Sequence, residues 1–566
     1  MPQRFGQHRR SKIAIILASM FHLPCSLRAQ TAYPGGPVGL QHLAPPGAWS
    51  TLGQGPSRLA TTPHPLAAID RPLAATWTRS TDADGNTISF IGQAPTAVSR
   101  DAVFAVGRVS PPGQPANQTR LFAFDRSTGA VRWWMPVAST VLDSDTGPVL
   151  DDRAGTVIFA SQRFVTAFDQ ATGAQRWQAQ LTRSVVNASP LVVNEPGRPG
   201  RLFITDYDGF STAAKLYCIN TAPLSPTNPR QPGAIVWSAP IGGSSGNSPA
   251  YLPSAMGGLG HVYVATLGAG GGGGNAGKIE AFDAFADVPS SIFTFENPHP
   301  EGFFGGLCVL PPARSREPPS LLAATYAFSG GLDAGNLVKV SARDGSLIWS
   351  TPCNRTMSIP VPLPGGRIAL STGIQGFGSL PAVELFQDLG SSGVLLWNSA
   401  VATWNDLNLN GFIDPGEHLA VGGWTQQPVA STFGGRTTLA VGLIPPSGTF
   451  SSPSHELFVL DLDAPPFSPA FVQAHTTGAG GSPAAPGAAL ISVGTAGLVH
   501  FGPTPAMLDL SQDFVVSTGD LYTWESSLST AARDLDRDGQ PTAADRSLLI
   551  NALRAPESAL LIGGRP

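Results

Sequence analysis

The sequence predicts an all-β fold built from repeated four-stranded antiparallel units, and three observations predict it. One pattern is written twice, at Leu121–Trp133 (LFAFDRSTGAVRW) and Val165–Trp177 (VTAFDQATGAQRW): an alternating apolar run ends in Phe-Asp, a Thr-Gly turn follows, and a Trp stands four residues after the Gly. That Gly-to-Trp step recurs at Gly233 and Trp237, Gly345 and Trp349, and Gly393 and Trp397, so five of the eleven tryptophans share one offset. The composition, 65 Gly and 53 Pro in 566 residues with only 13% charged, suits many short strands and turns and not long charged helices.

A second element accompanies the first, a Pro-containing turn leading into two short strands. Eight copies are legible, at 94–107, 147–161, 189–205, 248–266, 306–325, 360–373, 428–442 and 482–495. Together the two elements give four strands per unit. One small sheet cannot bury its own faces, whereas units arranged radially pack each on the next and leave only short edges. The expected architecture is therefore an eight-bladed β-propeller, with seven blades the alternative because the last copy fades after Gly497. In each repeat the Gly serves a tight turn and the Trp offers a flat surface to the adjacent blade.

In chain order, residues 1–29 have the layout of a secretory signal: Arg9, Arg10 and Lys12 precede an apolar run from Ile13 to Leu23, with small residues near Ala29. Arg9-Arg10 also spells the start of a twin-arginine signal, though its surroundings match poorly, and Pro24 before Cys25 argues against lipid attachment. Residues 30–80 form a Pro/Gly-rich leader whose end, Ala74–Ser80, is expected to close the last blade. The propeller spans 81–525 with an insertion at 401–427, and 526–566 form a small C-terminal segment. A net charge of −4 and no basic run beyond residue 12 exclude nucleic acid as a partner, and no later segment has the roughly 20 apolar residues of a transmembrane span. Cys218, Cys308 and Cys353 leave room for one disulfide and a thiol, not for a framework.

The repeats AFDRSTGAVRWW and AFDQATGAQRWQ resemble those of the pyrroloquinoline-quinone (PQQ)-like propeller superfamily, which includes quinoprotein alcohol dehydrogenases and the outer-membrane assembly scaffold BamB. The resemblance covers roughly residues 80–510 and implies the blade, not the activity.

Two stretches carry metal-ligand spacing. In the insertion, Asp406, Asn408, Asn410, Phe412 (through its carbonyl), Asp414 and Glu417 stand at positions 1, 3, 5, 7, 9 and 12 of an EF-hand-type calcium loop, with Gly411 at the bend; the alternative is an Asx-rich surface turn. Near the C-terminus Asp534, Asp536, Asp538, Gln540 (carbonyl) and Asp545 repeat the spacing ahead of a helix, which resembles half of a dockerin module. That resemblance implies a cohesin partner. Pro541 at position 8 and the lack of a second copy beside it favour a calcium-stabilised cap.

Other patterns carry no chemistry. Gly242–Gly246 spells a nucleophile elbow around Ser244 without the strand and helix it needs, Gly268–Gly273 is a glycine run, and zinc motifs are missing from the sequence. The resemblance implies that the dehydrogenases hold their quinone beneath a disulfide of adjacent cysteines, beside calcium and a catalytic Asp, and no two cysteines are adjacent here. The expected function is an exported, non-enzymatic propeller presenting a binding surface, stabilised by calcium. The alternatives are a PQQ- and calcium-dependent dehydrogenase and a BamB-like envelope scaffold.

Overall fold

The computed structural model describes the chain apart from residues 1–47, 63–65, 67–72, 91–94, 112, 114–117, 139–145, 208–213, 245, 268–275, 314–316, 328–330, 332, 375–378, 403–406, 411–416, 419, 433–434, 445–454, 465–471, 488, 503–509, 511–514, 517, 527–532, 534, 536–540, 555–559 and 562–566. Eight antiparallel sheets follow one another along it as the blades of a propeller. Blade 3 shows the plan: Leu191–Val193, Arg201–Thr205, Lys215–Asn220 and Ile235–Pro240 pair in sequence, from the inner strand outwards. Blades 4, 5 and 6 repeat it and end in outer strands Ser291–Glu296, Leu347–Cys353 and Gly393–Asn398. In blade 2 the second and third strands form one 14-residue stretch, Thr156–Asp169. It doubles back at Gln162 (φ 48°), since Gln170 N–H reaches Gly155 O at 3.0 Å, which an extended run of that length forbids.

Blade 8 takes its outer strand from the other end of the chain. Ala75–Arg79 pairs antiparallel with Gly497–Phe501, which pairs with Leu490–Gly494. The last copy fades in sequence because its fourth strand was made some four hundred residues earlier. The core is correspondingly a ring of seams, each apolar cluster joining neighbouring blades. Phe104, Leu121 and Trp133 of blade 1 pack with Val157 and Phe159 of blade 2, for example, and Ile158 and Trp177 of blade 2 with Leu202 and Tyr217 of blade 3.

The Gly-to-Trp offset has a precise geometric content. In blades 1 to 6 the outer strand carries one extra residue immediately before its aromatic, a β-bulge at Arg132, Arg176, Val236, Ile292, Ile348 and Leu396. The closing strand has the same bulge at Thr76, before Trp77. Blade 7 pairs Glu456–Leu460 with Val472–Thr476 without a shift and has no Trp there. A bulge raises local twist and re-aims the next side chain, here towards the following blade. There the ring meets a glycine: a Cβ on Gly129, Gly173, Gly233 or Gly393 would lie 2.6, 2.8, 3.0 or 2.8 Å from Trp77, Trp133, Trp177 or Trp349. Phe293 does the same in blade 4, facing Gly345. The indole N–H groups of Trp77, Trp133 and Trp237 donate at 3.0 Å to the carbonyls of Arg126, Gln170 and Ala286 in the next blade.

Candidate functional site

The inner strands leave their free edges facing the axis, and the leader fills that space. Trp49 exchanges two backbone hydrogen bonds with Val98 of blade 1, and Ser50 O accepts from Leu150 N–H of blade 2. Thr51 Oγ1 donates to Pro190 O of blade 3, and Pro56 O and Ser57 O accept from Tyr251 and Val309 of blades 4 and 5. Ala60 packs with Val361 of blade 6, and Thr61–Thr62 runs parallel to Val429–Ser431 of blade 7. In fourteen residues the chain touches seven blades. This path requires left-handed backbone at Gln54, Arg58 and Ala60 (φ 82°, 55° and 51°), three of the six such non-glycine residues described.

Arg58 pins the plug. Its guanidinium is fully buried and donates to the carbonyls of Pro249, Leu52 and Ser189. Burial pulls its pKa down to about 9, still charged at neutral pH.

Around the plug the residues preceding the repeat prolines link blade to blade. Gly147 N–H donates to Ser189 Oγ and Ser189 N–H to Ser248 Oγ. Across the ring, Ile359 N–H donates to Gln427 Oε1 and Gln427 N–H to Ser482 Oγ. These hydroxyls and amides are thus spent on the ring itself.

Between blades 4 and 7 the connecting loops gather an aromatic hub. Phe304 and Tyr326 have ring centroids 4.9 Å apart and Tyr326 and Trp424 4.8 Å, with the Arg355 guanidinium carbon 5.8 Å from the Tyr326 centroid. All four side chains are buried. Nearby, Glu384 is 1% exposed and accepts from Asn354 N–H of the preceding loop and from Asn398 Nδ2. Burial lifts its carboxyl to about 7. Glu280, in blade 4, likewise accepts from Gly242 N–H and is raised by burial.

Of the expected calcium ligands, Asn408, Asn410, Glu417 and Asp545 are described. Asp406, Phe412, Asp414, Asp534, Asp536, Asp538 and Gln540 lie outside the described residues, as do residues 1–29 and the glycine run. Glu417 Oε1 accepts from the N–H groups of Leu407 and Asn408 at 3.0 and 3.1 Å, and Asn408 Oδ1 from Asn410 N–H at 3.0 Å. Asp545 Oδ1 accepts from Leu535 N–H at 2.6 Å. In both stretches the carboxylate at position 12 is therefore tied to the backbone of position 2, and among the described residues no three His, Cys, Asp or Glu side chains gather as a metal site. Asp545 has a second task, accepting Thr542 N–H at the start of helix Ala543–Arg554 as a capping residue does. Leu548 and Leu549 of that helix pack with Trp524 and Leu535.

Ser244 is 1% exposed and bonds Thr205 Oγ1, a buried structural hydroxyl. Cys218, Cys308 and Cys353 are all free and buried, so the disulfide that three cysteines allowed is not formed among them. Sequence reasoning did not find Arg58, Glu384 or the hub. Arg58 had a signal, as a lone basic residue in an otherwise uncharged leader stretch from 38 to 69.

Among the described residues no helix is long and apolar enough to cross a membrane. The profile of a family described as outer membrane protein assembly factor BamB matches residues 66–248, about a third of the chain. Among solved structures, a europium-containing methanol dehydrogenase is similar at 12% identity and TM-score 0.51, over 92% of this chain and 97% of that one. A quinohemoprotein alcohol dehydrogenase from Pseudomonas putida is similar at 11% identity and TM-score 0.52, over 90% and 95%. One from Comamonas testosteroni is similar at 12% and 0.51, over 82% and 84%. No curated protein sequence matches significantly. At such identities the likeness is one of fold, a PQQ-type propeller.

Proposed function

We propose that the chain is an exported, non-enzymatic PQQ-like propeller that presents its outer surface to protein ligands and is braced by calcium at 406–417 and 534–545. The observation that supports this reading is the filled axis: Trp49–Thr62 occupies the inner strand edges, and Arg58 is committed to the carbonyls of Leu52 in the plug and of Pro249 and Ser189 in the blades. Binding is thereby left to the faces and rim of the ring. The three described cysteines, free and buried, also do not form the adjacent-cysteine cap that the dehydrogenase resemblance implies. The assembly-factor profile favours an envelope scaffold as the form this binding takes.

Calorimetry tests the reading. Calcium-stripped protein is titrated with calcium, and a parallel cell with calcium in excess is titrated with PQQ. Calcium heat is expected that disappears in an Asp406→Ala, Asp534→Ala double variant, with no PQQ heat. Saturable PQQ binding would overturn the non-enzymatic reading, and a missing calcium response would reduce both loops to Asx turns.

A further inference from the structure

A carboxylate sealed inside a protein needs a cation or several donors around it, and without them the protonated form is favoured. Glu384, in the third strand of blade 6 (Ala382–Asp388), is buried between two neutral partners. Oε2 accepts from Asn354 N–H at 3.0 Å and Oε1 from Asn398 Nδ2 at 2.9 Å. Burial accordingly lifts its carboxyl to about 7.

The charged groups of the surrounding elements are engaged elsewhere. Arg355, one residue after Asn354, has its guanidinium against the Tyr326 ring, and Glu301 accepts from Asn336 Nδ2. Arg367, at the start of the neighbouring second strand, pairs with Asp463, and Asp388, at the far end of Glu384's own strand, pairs with Lys339. Glu417 accepts from the N–H groups of Leu407 and Asn408. The Cys353 thiol is raised well above its ordinary value, by burial first and then by Glu384 and Glu301, and so stays neutral.

Asn398 ends the outer strand of blade 6 and begins the insertion. Its Oδ1 accepts from Ala400 and Val401 N–H at 3.0 and 3.3 Å, capping the turn Ser399–Ala402, while its Nδ2 is the group that reaches Glu384. Ser399 Oγ accepts from Val383 N–H beside it. The two partners of the carboxyl differ in depth. Asn354 is 0% exposed, whereas Asn398 is 7% exposed and Val401, on the same turn, 52%. Water that hydrates an ionised Glu384 therefore enters at Asn398.

We infer that Glu384 is a proton-operated latch for the root of the insertion: protonated, it holds Asn398 and the turn after it on blade 6, and ionised, it draws water to that contact and lets residues 398–402 lift. With the root open the carboxyl has its ordinary value of 4.5, and with the root seated a value of about 7. The seated form is thus favoured in full below about 4.5, loses ground as the pH rises to about 7, and changes no further above it. Acid seats the root and neutrality loosens it. The latch acts on the root alone and needs no calcium in the loop beyond it.

Hydrogen exchange of the full chain, with calcium chelated and intrinsic rates corrected for, tests this at about pH 5 and about pH 8. Protection of the Ala400 and Val401 amides is expected to fall about 50-fold between them, with the Lys215–Asn220 amides of blade 3 better protected at both, as a local opening requires. Glu384→Gln should abolish the pH dependence at Ala400 and Val401. A root whose protection does not fall between the two pH values overturns the latch, as does the same fall in Glu384→Gln. Root and blade 3 amides exchanging alike would also overturn it, since the ring would then be opening as a whole, and this readout on the unmodified chain stands even if the variant misfolds.

Discussion

Trp77 and His500 lie opposite one another in the strand pair that closes the ring, their rings stacked with centroids 5.3 Å apart and planes 27° apart. Burial, with Arg126 nearby, pushes the imidazole down to about 3, so His500 is neutral in the closed ring. The unfolded chain takes up that proton near pH 6.5, and the folded chain does not until near 3. The contribution is therefore present above about 6.5 and lost as the pH falls towards 3, on the order of 5 kcal/mol in all. Chemical unfolding of the wild type and His500→Gln between these limits checks it. A variant that loses stability on acidification as steeply as the wild type would refute the assignment.

Glu384 predicts the opposite slope. Its folded value near 7 exceeds the usual 4.5, so the native state holds a proton that the unfolded state has lost. Stability from this group is full below about 4.5 and declines by about 3 kcal/mol as the pH rises to 7. The difference between wild type and Glu384→Gln across that window isolates it from other titrating groups.

Gly173 and Gly155 separate contact from conformation. Both have positive φ, 74° and 64°, but a Cβ at 173 meets the Trp133 ring at 2.8 Å and one at 155 meets nothing within 4 Å. Gly155→Ala should cost about 1 kcal/mol and Gly173→Ala about 3 kcal/mol. Equal losses in urea unfolding would show that the docked indole yields without cost.

Arg58→Met keeps length and removes the donors, leaving the carbonyls of Pro249, Leu52 and Ser189 buried without this partner. A loss of about 3 kcal/mol is expected, with protease cleavage appearing between residues 48 and 62 before the blades are cut. A variant as stable and as resistant as the parent would mean that the guanidinium is dispensable to the plug.

How much of this was legible follows from where the information sits. Gly129 and Trp133 share a fixed offset because the bulge at Arg132 and the docking of Trp133 on Gly173 both act through side chains, and side chains are what a sequence displays. The same docking was invisible where Phe293 replaces the indole, and Trp77 was legible as a strand residue but not as the docking ring that closes blade 8 on blade 1. The plug was read only as an irregular leader. Its path rests on backbone hydrogen bonds and on left-handed Gln54, Arg58 and Ala60, residue types that do not announce that conformation. The metal loops are the reverse case: spacing is explicit at Asp406 to Glu417, while the described geometry reaches only Asn408, Asn410 and Glu417.

The plug and the closing strand also fix an order of events in the life of the chain. Residues 48–79 are synthesised first, yet their partners at 429–431 and 497–501 are synthesised last. A nascent polypeptide therefore holds a closing strand with nowhere to settle and a plug docked only on the blades made so far, and neither the axis nor the eighth blade can be finished before translation is nearly done. Premature termination anywhere in blades 2 to 7 yields an open arc with a loose head, a product that proteases can tell from the finished ring.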